Sequence, residues 1–247
     1  MNIIGIIPSR YQSTRFPGKP LAMINGRPMI WWVYQQAIKV ESFSDVYVAT
    51  DSKEIEDVCL SYNMKVIMTS SEHKTGTDRL GEVAKKIPAD FYVNIQGDEP
   101  LIEPETISQI VEYKRNNNDV QIINSMTRIK NLEDVDKKTV VKVVAADNND
   151  LIYLSRSAVP YPKKGQKIEY FKHLGLYGLS REALLFFSSS PRTKNELIED
   201  IEMLRFLENG YKIKILNVES NSIGVDCPED IENVKKYMIE NNIKVEN

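Results

Sequence analysis

Residues 9–21 read Ser-Arg-Tyr-Gln-Ser-Thr-Arg-Phe-Pro-Gly-Lys-Pro-Leu. Arg10, Arg15 and Lys19 put three positive charges into one short segment. Ser13 and Thr14 add hydroxyls, and Gly18 leaves the backbone open to close approach. Charge, hydroxyl donors and accessible N–H groups are what a polyphosphate requires. The segment is neither a Walker loop nor a GxGxxG fingerprint. Two prolines and a glycine would shape a turn without binding anything, but a turn does not explain three cations together. The wider charge distribution agrees: the first forty residues carry no acid, and the first carboxylate is Glu41. A basic opening on a chain of net charge -3 points to a local anion site.

Two carboxylates stand out in similar settings. Asp98 lies in Asn94-Ile95-Gln96-Gly97-Asp98-Glu99-Pro100, and Asp226 in Gly224-Val225-Asp226. A carboxylate is a hard oxygen ligand suited to magnesium, which takes one or two of them plus phosphate oxygens and water. Asp226 also stands where a helix N-cap is expected, and Asp98 where a turn residue is expected. On the residues alone both readings stay open, and Glu99 reads as a solvated neighbour. The two histidines are His73, in a loop and without an assigned role, and His173. His173 sits in Lys172-His173-Leu174-Gly175-Leu176-Tyr177, where strand alternation puts His173, Gly175 and Tyr177 on one face. A polar pair flanking a glycine could line a sugar pocket.

These groups need elements to hold them. Ile3–Pro8 predicts a buried strand, Val46–Thr50 a second, Lys65–Met68 a third and Phe91–Ile95 a fourth. Between them, Pro28 opens a helix to about Lys39, Asp51-Ser52 caps one to about Tyr62, and another covers Thr77–Lys86. This alternation predicts an α/β fold with a mostly parallel central sheet and helices on both faces. In such sheets ligands bind at the carboxyl ends of the strands, where residues 9–20 lie. From about 120 to 190 strands follow one another with little helix, which predicts a small inserted lobe within a single domain spanning 1–247. Leu197, Ile201 and Leu204 form a core stripe that predicts a helix from about Lys194 to Glu208, stopped by Asn209-Gly210. Glu199 and Glu202 fall on its opposite face, where an acidic surface is the plain reading. Lys212–Leu216 is a last strand, and Pro228 opens a last helix.

Composition narrows the function. The chain has 247 residues, 42% hydrophobic and 27% charged, which is ordinary for a globular protein. Its net negative charge argues against a nucleic-acid partner. Cys59 and Cys227 have no metal-ligand spacing and suit a reducing compartment. No apolar run approaches a membrane span. The expectation is a cytoplasmic protein with no membrane insertion.

The first loop, Arg10-Tyr11-x-Ser13-Thr14-Arg15-x-Pro17-Gly18-Lys19-Pro20-Leu21, resembles the signature of the CMP-sugar-acid synthetases. The closest resemblance is to the 3-deoxy-manno-octulosonate (Kdo) cytidylyltransferase family. Val48-Ala49-Thr50-Asp51, Gly76-Thr77-Asp78-Arg79, Asn94–Pro100, Val141-Lys142-Val143, Ser155-Arg156, Lys172–Tyr177 and Gly224–Asp230 agree in order, from about residue 3 to 235. The resemblance implies a nucleotide-diphospho-sugar transferase-like fold, dimeric through the lobe. It implies CTP and a sugar acid as substrates, and Mg2+ held by Asp98 and Asp226. Arg10, Ser13, Arg15 and Lys19 would bind the nucleotide, with Arg10 and Lys19 stabilising the departing pyrophosphate. Gln96, Arg156, His173, Tyr177 and Glu202 would meet the sugar. Met203 departs from the family's glutamine, which leaves open an 8-amino form or a nine-carbon sialic-type acid. A catalytically silent nucleotide-sugar binder is the other alternative.

Overall fold

Six of the seven residues of Ile3–Ser9 are buried, and this isoleucine-rich run forms strand β1 in the computed structural model. The structure describes residues 1–244 except Thr14, Gly165 and Asn221; the hydroxyl expected of Thr14 lies outside the described residues. A short 3-10 turn at Lys19–Leu21 leads to a two-strand ribbon, β2 (Met23–Ile24) and β3 (Arg27–Pro28). The alternating units follow: α1 (Met29–Ile38), β4 (Asp45–Thr50), α2 (Lys53–Ser61), β5 (Val66–Met68), α3 (Gly76–Lys86) and β6 (Phe91–Asn94). Pro28 caps α1 from outside rather than occupying its first turn. Ser52 caps α2 as expected, accepting from the Ile55 amide.

Helix α4 (Pro104–Asn116), β7 (Ile122–Arg128), β8 (Lys142–Ala145), β9 (Leu151–Ser155) and β10 (Phe171–Ser180) come next. Then come α5 (Arg181–Ser189), α6 (Lys194–Glu199), α7 (Met203–Glu208), β11 (Lys214–Asn217) and α8 (Asp230–Glu240). Helices α4 and α5 were not expected from the sequence. The single helix expected over 194–208 is two, because Asp200 takes a left-handed conformation (φ 52°) between them. That break undoes the expected stripe: Ile201 and Leu204 are buried, but Leu197 is 57% exposed.

The main sheet runs β11-β7-β10-β6-β1-β4-β5. Strand β10 pairs antiparallel with both neighbours, while the other pairings along the path are parallel. The β8–β9 hairpin hangs off β10. Two apolar cores flank the sheet. One joins Ile3 and Ile7 to α1, α4 and α8; the other joins Ile4 and Ile6 to α3, α5 and α7. Chain order reverses at β1: β4 and β5 lie to one side, β6 to the other. That makes the crevice at the carboxyl ends of β1 and β6 a topological switch point, where open α/β sheets bind ligands.

Candidate active site

The crevice opens because of Pro8. The β1–β6 ladder ends with the Ile95 amide donating to the Ile6 carbonyl (2.9 Å). Pro8 has no N–H with which to continue it. Beyond that point Pro8, Ser9, Gln96, Gly97 and Asp98 line a cavity of about 410 Å³. Gly97 packs closely against β1: a Cβ there would stand 3.0 Å from the Pro8 carbonyl oxygen and from Ser9 Oγ, tight enough to make the neighbours shift.

The first loop forms one wall. Gly18 adopts a left-handed φ of 70°, and its amide donates to the Tyr11 carbonyl at 2.8 Å. The following 3-10 turn projects Lys19 inward. Lys19 Nζ donates to Asp98 Oδ2 at 2.7 Å and to the Val225 carbonyl at 2.9 Å. The Val225 amide in turn donates to the Asp98 carbonyl at 2.9 Å. Arg15 pairs with Asp226 at 3.0 Å, with both side chains well exposed. Arg10 and Ser13 line the same cavity, and Arg10 makes no ion pair among the described residues. Asp226 is not the cap of α8. The cap position is Glu229, and Asp230, the first helical residue, reaches back to accept from the Asp226 and Cys227 amides. Pro228 accordingly lies in a turn before the helix, which begins at Asp230.

The opposite wall is the amino end of α3, capped by Thr75, whose Oγ1 accepts from the Asp78 amide. Glu202 is not part of a solvated acidic face. Its Oε2 accepts from the Thr77 amide at 3.2 Å, at the positive end of α3. Burial raises its pKa. Tyr177 Oη meets Thr77 Oγ1 at 2.9 Å, and burial raises the phenol as well. Gln96, Tyr177, Asp200 and Glu202 line this end.

Two expected sugar contacts lie outside the lining. The Arg156 guanidinium donates to the carbonyls of Lys138, Glu199 and Asp200, so it ties down the α6–α7 link that carries Asp200 and Glu202. His173 is enclosed, with Nε2 2.9 Å from Asn124 Nδ2, and burial pushes its pKa down to about 4. The neutral ring accepts from the Asn124 amide. A bulge between Leu174 and Tyr177 separates His173 from Tyr177, so simple alternation does not hold across this strand. Met203 is 2% exposed in the apolar core and does not line the cavity.

Other residues enter the site unannounced. His73, Lys74 and Arg79 line it. Arg79 is buried and pairs with Asp51 at 3.2 Å. Glu82 anchors the 70–75 loop, accepting from the Ser70 amide and from Lys86 and contacting His73. Burial opposes the Glu82 charge, but the bonds from Lys86, the Ser70 amide and His73 outweigh it and hold the pKa at about 2. Glu99 is no solvated neighbour: burial, then the charge of Asp98, pushes its carboxyl up to about 7. The available sequence signal for Glu82 was its place one helical turn from Lys86 and within a loop's reach of His73.

Among the described residues no three His, Cys, Asp or Glu side chains converge as a metal cluster. Asp98 and Asp226 line one cavity as hard oxygen donors, beside cations suited to phosphate. Such a pair fits magnesium that takes its remaining ligands from phosphate and water.

A switch-point crevice lined by a cationic loop and two carboxylates is the arrangement of an α/β protein with a site suited to a phosphorylated ligand. The comparisons agree. The cytidylyltransferase family profile matches residues 4–215. The 3-deoxy-manno-octulosonate cytidylyltransferase of Fusobacterium nucleatum subsp. nucleatum is 45% identical over 246 residues, covering 99% of this chain and 100% of that protein. The enzyme of the same name from Trichlorobacter lovleyi is 44% identical, covering 96% and 99%. The structure of CMP:2-keto-3-deoxy-manno-octonic acid synthetase complexed with CTP superposes with a TM-score of 0.93 at 37% identity, covering 98% of this chain and 100% of that one. The fold is that of the nucleotidyltransferases. Within them, the chain belongs to the 3-deoxy-manno-octulosonate cytidylyltransferase family.

Proposed function

We propose that this nucleotidyltransferase joins CTP to 3-deoxy-manno-octulosonate, giving the CMP-sugar acid and pyrophosphate. The observation that carries the reading is the crevice itself. Arg10, Arg15 and Lys19 line one cavity with Asp98 and Asp226, Lys19 bonded to Asp98 and Arg15 paired with Asp226, in a chain whose 0.93 structural match was solved with CTP. The sugar's anomeric oxygen attacks the α-phosphorus. The bond from that phosphorus to the bridging oxygen breaks, and the electron pair leaves with pyrophosphate.

The chain's own groups supply positioning and charge. Arg10 and Lys19 meet the charge that builds on the departing pyrophosphate. Ser13 and Arg15 hold the triphosphate loop. Gln96, Tyr177 and Glu202 bound the sugar end of the cavity, while Arg156 and His173 act from behind it, through the α6–α7 link and strand β10. Asp98 and Asp226 would hold magnesium, which neutralises phosphate charge and favours ionisation of the attacking hydroxyl. Among the described residues no Ser, Cys or His is arranged as an activated nucleophile, which supports a direct transfer.

The same reading includes a homodimer through the 120–190 lobe and its surroundings. Leu132, Ile152, Tyr161 and Ile198 are all more than half exposed there, which supports a covered face. No described helix is long and apolar enough to cross a membrane, and the site of action proposed is the cytoplasm, where CTP is available.

The test is pyrophosphate release from CTP and magnesium with 3-deoxy-manno-octulosonate, its 8-amino form and a sialic-type acid in parallel. Turnover with the first is expected to exceed the others. Folded protein that binds CTP but releases no pyrophosphate with any of them would overturn the reading.

A further inference from the structure

Strand β1 ends at Ser9, and its alternation decides where that side chain goes. Ile3 and Ile7 pack in the core on the α1 side, and Ile4 and Ile6 in the core on the α3 side. Ser9 therefore follows Ile7, toward α1 and the cationic loop. It is 4% exposed, and its Oγ makes no hydrogen bond among the described residues. Of the orphaned buried side-chain atoms among the described residues, Ser9 Oγ is the one whose residue lines the cavity. Gly97 packs against it, and a Cβ at 97 would stand 3.0 Å from this oxygen. Arg10 continues the chain from it, and Lys19 and Pro20 line the same wall.

A buried hydroxyl without a partner is a cost to the free protein. Here Ser9 lines the cavity proposed for the nucleotide together with Arg10, Arg15 and Lys19. We propose that Ser9 Oγ is a nucleotide-binding group, left unpaired in the free protein and donating to an oxygen of CTP. This inference rests on the cavity being the CTP site.

The experiment compares wild type, Ser9→Ala and Ser9→Cys. It measures thermal melting without ligand, calorimetric CTP binding without sugar, and KM for each substrate. For Ser9→Ala the free protein should melt at the same temperature or higher. Its Kd for CTP should rise about threefold to tenfold, the loss of one hydrogen bond, with KM for the sugar acid unchanged. Ser9→Cys keeps the volume with a weak donor and should fall between. A lower melting temperature with unchanged CTP affinity would overturn the inference, because the hydroxyl would then be bonded structurally. An effect on the sugar's KM alone would also overturn it, by assigning the hydroxyl to the other substrate. If wild type itself neither binds CTP nor turns over, the proposed function fails first, and that result is distinct from a null effect at Ser9.

Discussion

Lys19→Ala separates a structural strut from a catalytic cation. Lys19 Nζ joins the first loop to Asp98 (2.7 Å) and to the Val225 carbonyl (2.9 Å), with the Lys19 side chain 16% and the Asp98 side chain 32% exposed. A charged hydrogen bond contributes about 1.5–3 kcal/mol when enclosed and an exposed ion pair about 0–1 kcal/mol. Asp98 is a third open to solvent, so the stability lost should be about 1–2 kcal/mol. In a chain of this size that lowers Tm by about 2–8 °C. The catalytic loss should be larger. Removing one preorganised group that meets developing charge costs about 10²–10³ in kcat, or about 2.7–4 kcal/mol. The assay is pyrophosphate release against CTP concentration at saturating sugar, with melting followed in parallel. Lys19→Arg keeps the charge, but its planar fork does not reproduce a point charge between two oxygens, so it should recover only part of the rate. If Lys19→Ala melts lower as calculated while kcat/KM for CTP stays within about twofold, Lys19 is a strut alone and its proposed role is wrong.

Asp226→Asn should leave Tm within about 1 °C, because its pair with Arg15 is exposed on both sides, yet turnover should fall by about 10²-fold or more; an unaltered magnesium titration would exclude Asp226 from metal binding. Glu82→Gln concerns a carboxyl held at about 2 against an ordinary 4.5. A depressed acid contributes stability that is full above 4.5 and is lost as pH falls through about 2. The variant should therefore melt below wild type at pH 7, and the gap should close between pH 4.5 and 2; a gap constant over that range would refute the charge-based account. Ile198→Asp places a charge on a residue 69% exposed on α6, and light scattering should report a shift from dimer to monomer if the proposed face is right, with an unshifted mass arguing against it. Met203→Gln buries an amide in a core position 2% exposed, at a cost of about 1–3 kcal/mol. The kcat/KM ratio between octulosonate and its 8-amino form should not move, and a moved ratio would put Met203 back in the sugar site.

Local signals carried the first strands and the Ser52 cap of α2. The isoleucine run was expected to stop at Pro8, but the strand pairs with β4 through Ser9, and the Thr75 cap of α3 was not read from the sequence. The first loop and both carboxylates were equally legible, because residue type and strand-end position are sequence properties. Helix α4 was missed although Pro104, Ile107, Ile110 and Val111 have helical spacing and are followed by Lys114 and Arg115. The break at Asp200 was not legible, since the apolar stripe runs across it without interruption. Its cause is tertiary: Arg156 holds the Asp200 carbonyl and Arg192 its carboxylate. The burial of Glu202 was hidden for the same reason, because its partner amide lies 125 residues away on α3. Met203, read as a possible specificity residue, is a core residue packed in one cluster with Leu204 and Phe206.

The base of the cavity is a product of the whole fold rather than of one motif. Lys19 reaches Asp98 across 79 residues and Val225 across 206, and Arg15 reaches Asp226 across 211. Such contacts form only after β1, β6 and the segment before α8 have been brought together, so the sheet must close before the site exists. The two ion pairs then differ in a way that bears on binding. Arg15–Asp226 is mostly exposed and weakly held. Lys19–Asp98 is more enclosed and is braced by the Val225 carbonyl. On the proposed reading, a phosphate entering this crevice would meet Arg10, which makes no ion pair among the described residues, and could draw Arg15 from Asp226 at little cost while Lys19 stays held by Asp98 and Val225. Release from Arg15 would leave the Asp226 carboxylate available to a divalent cation. The weak pair would then couple nucleotide entry to metal binding, and the more enclosed pair would keep the geometry.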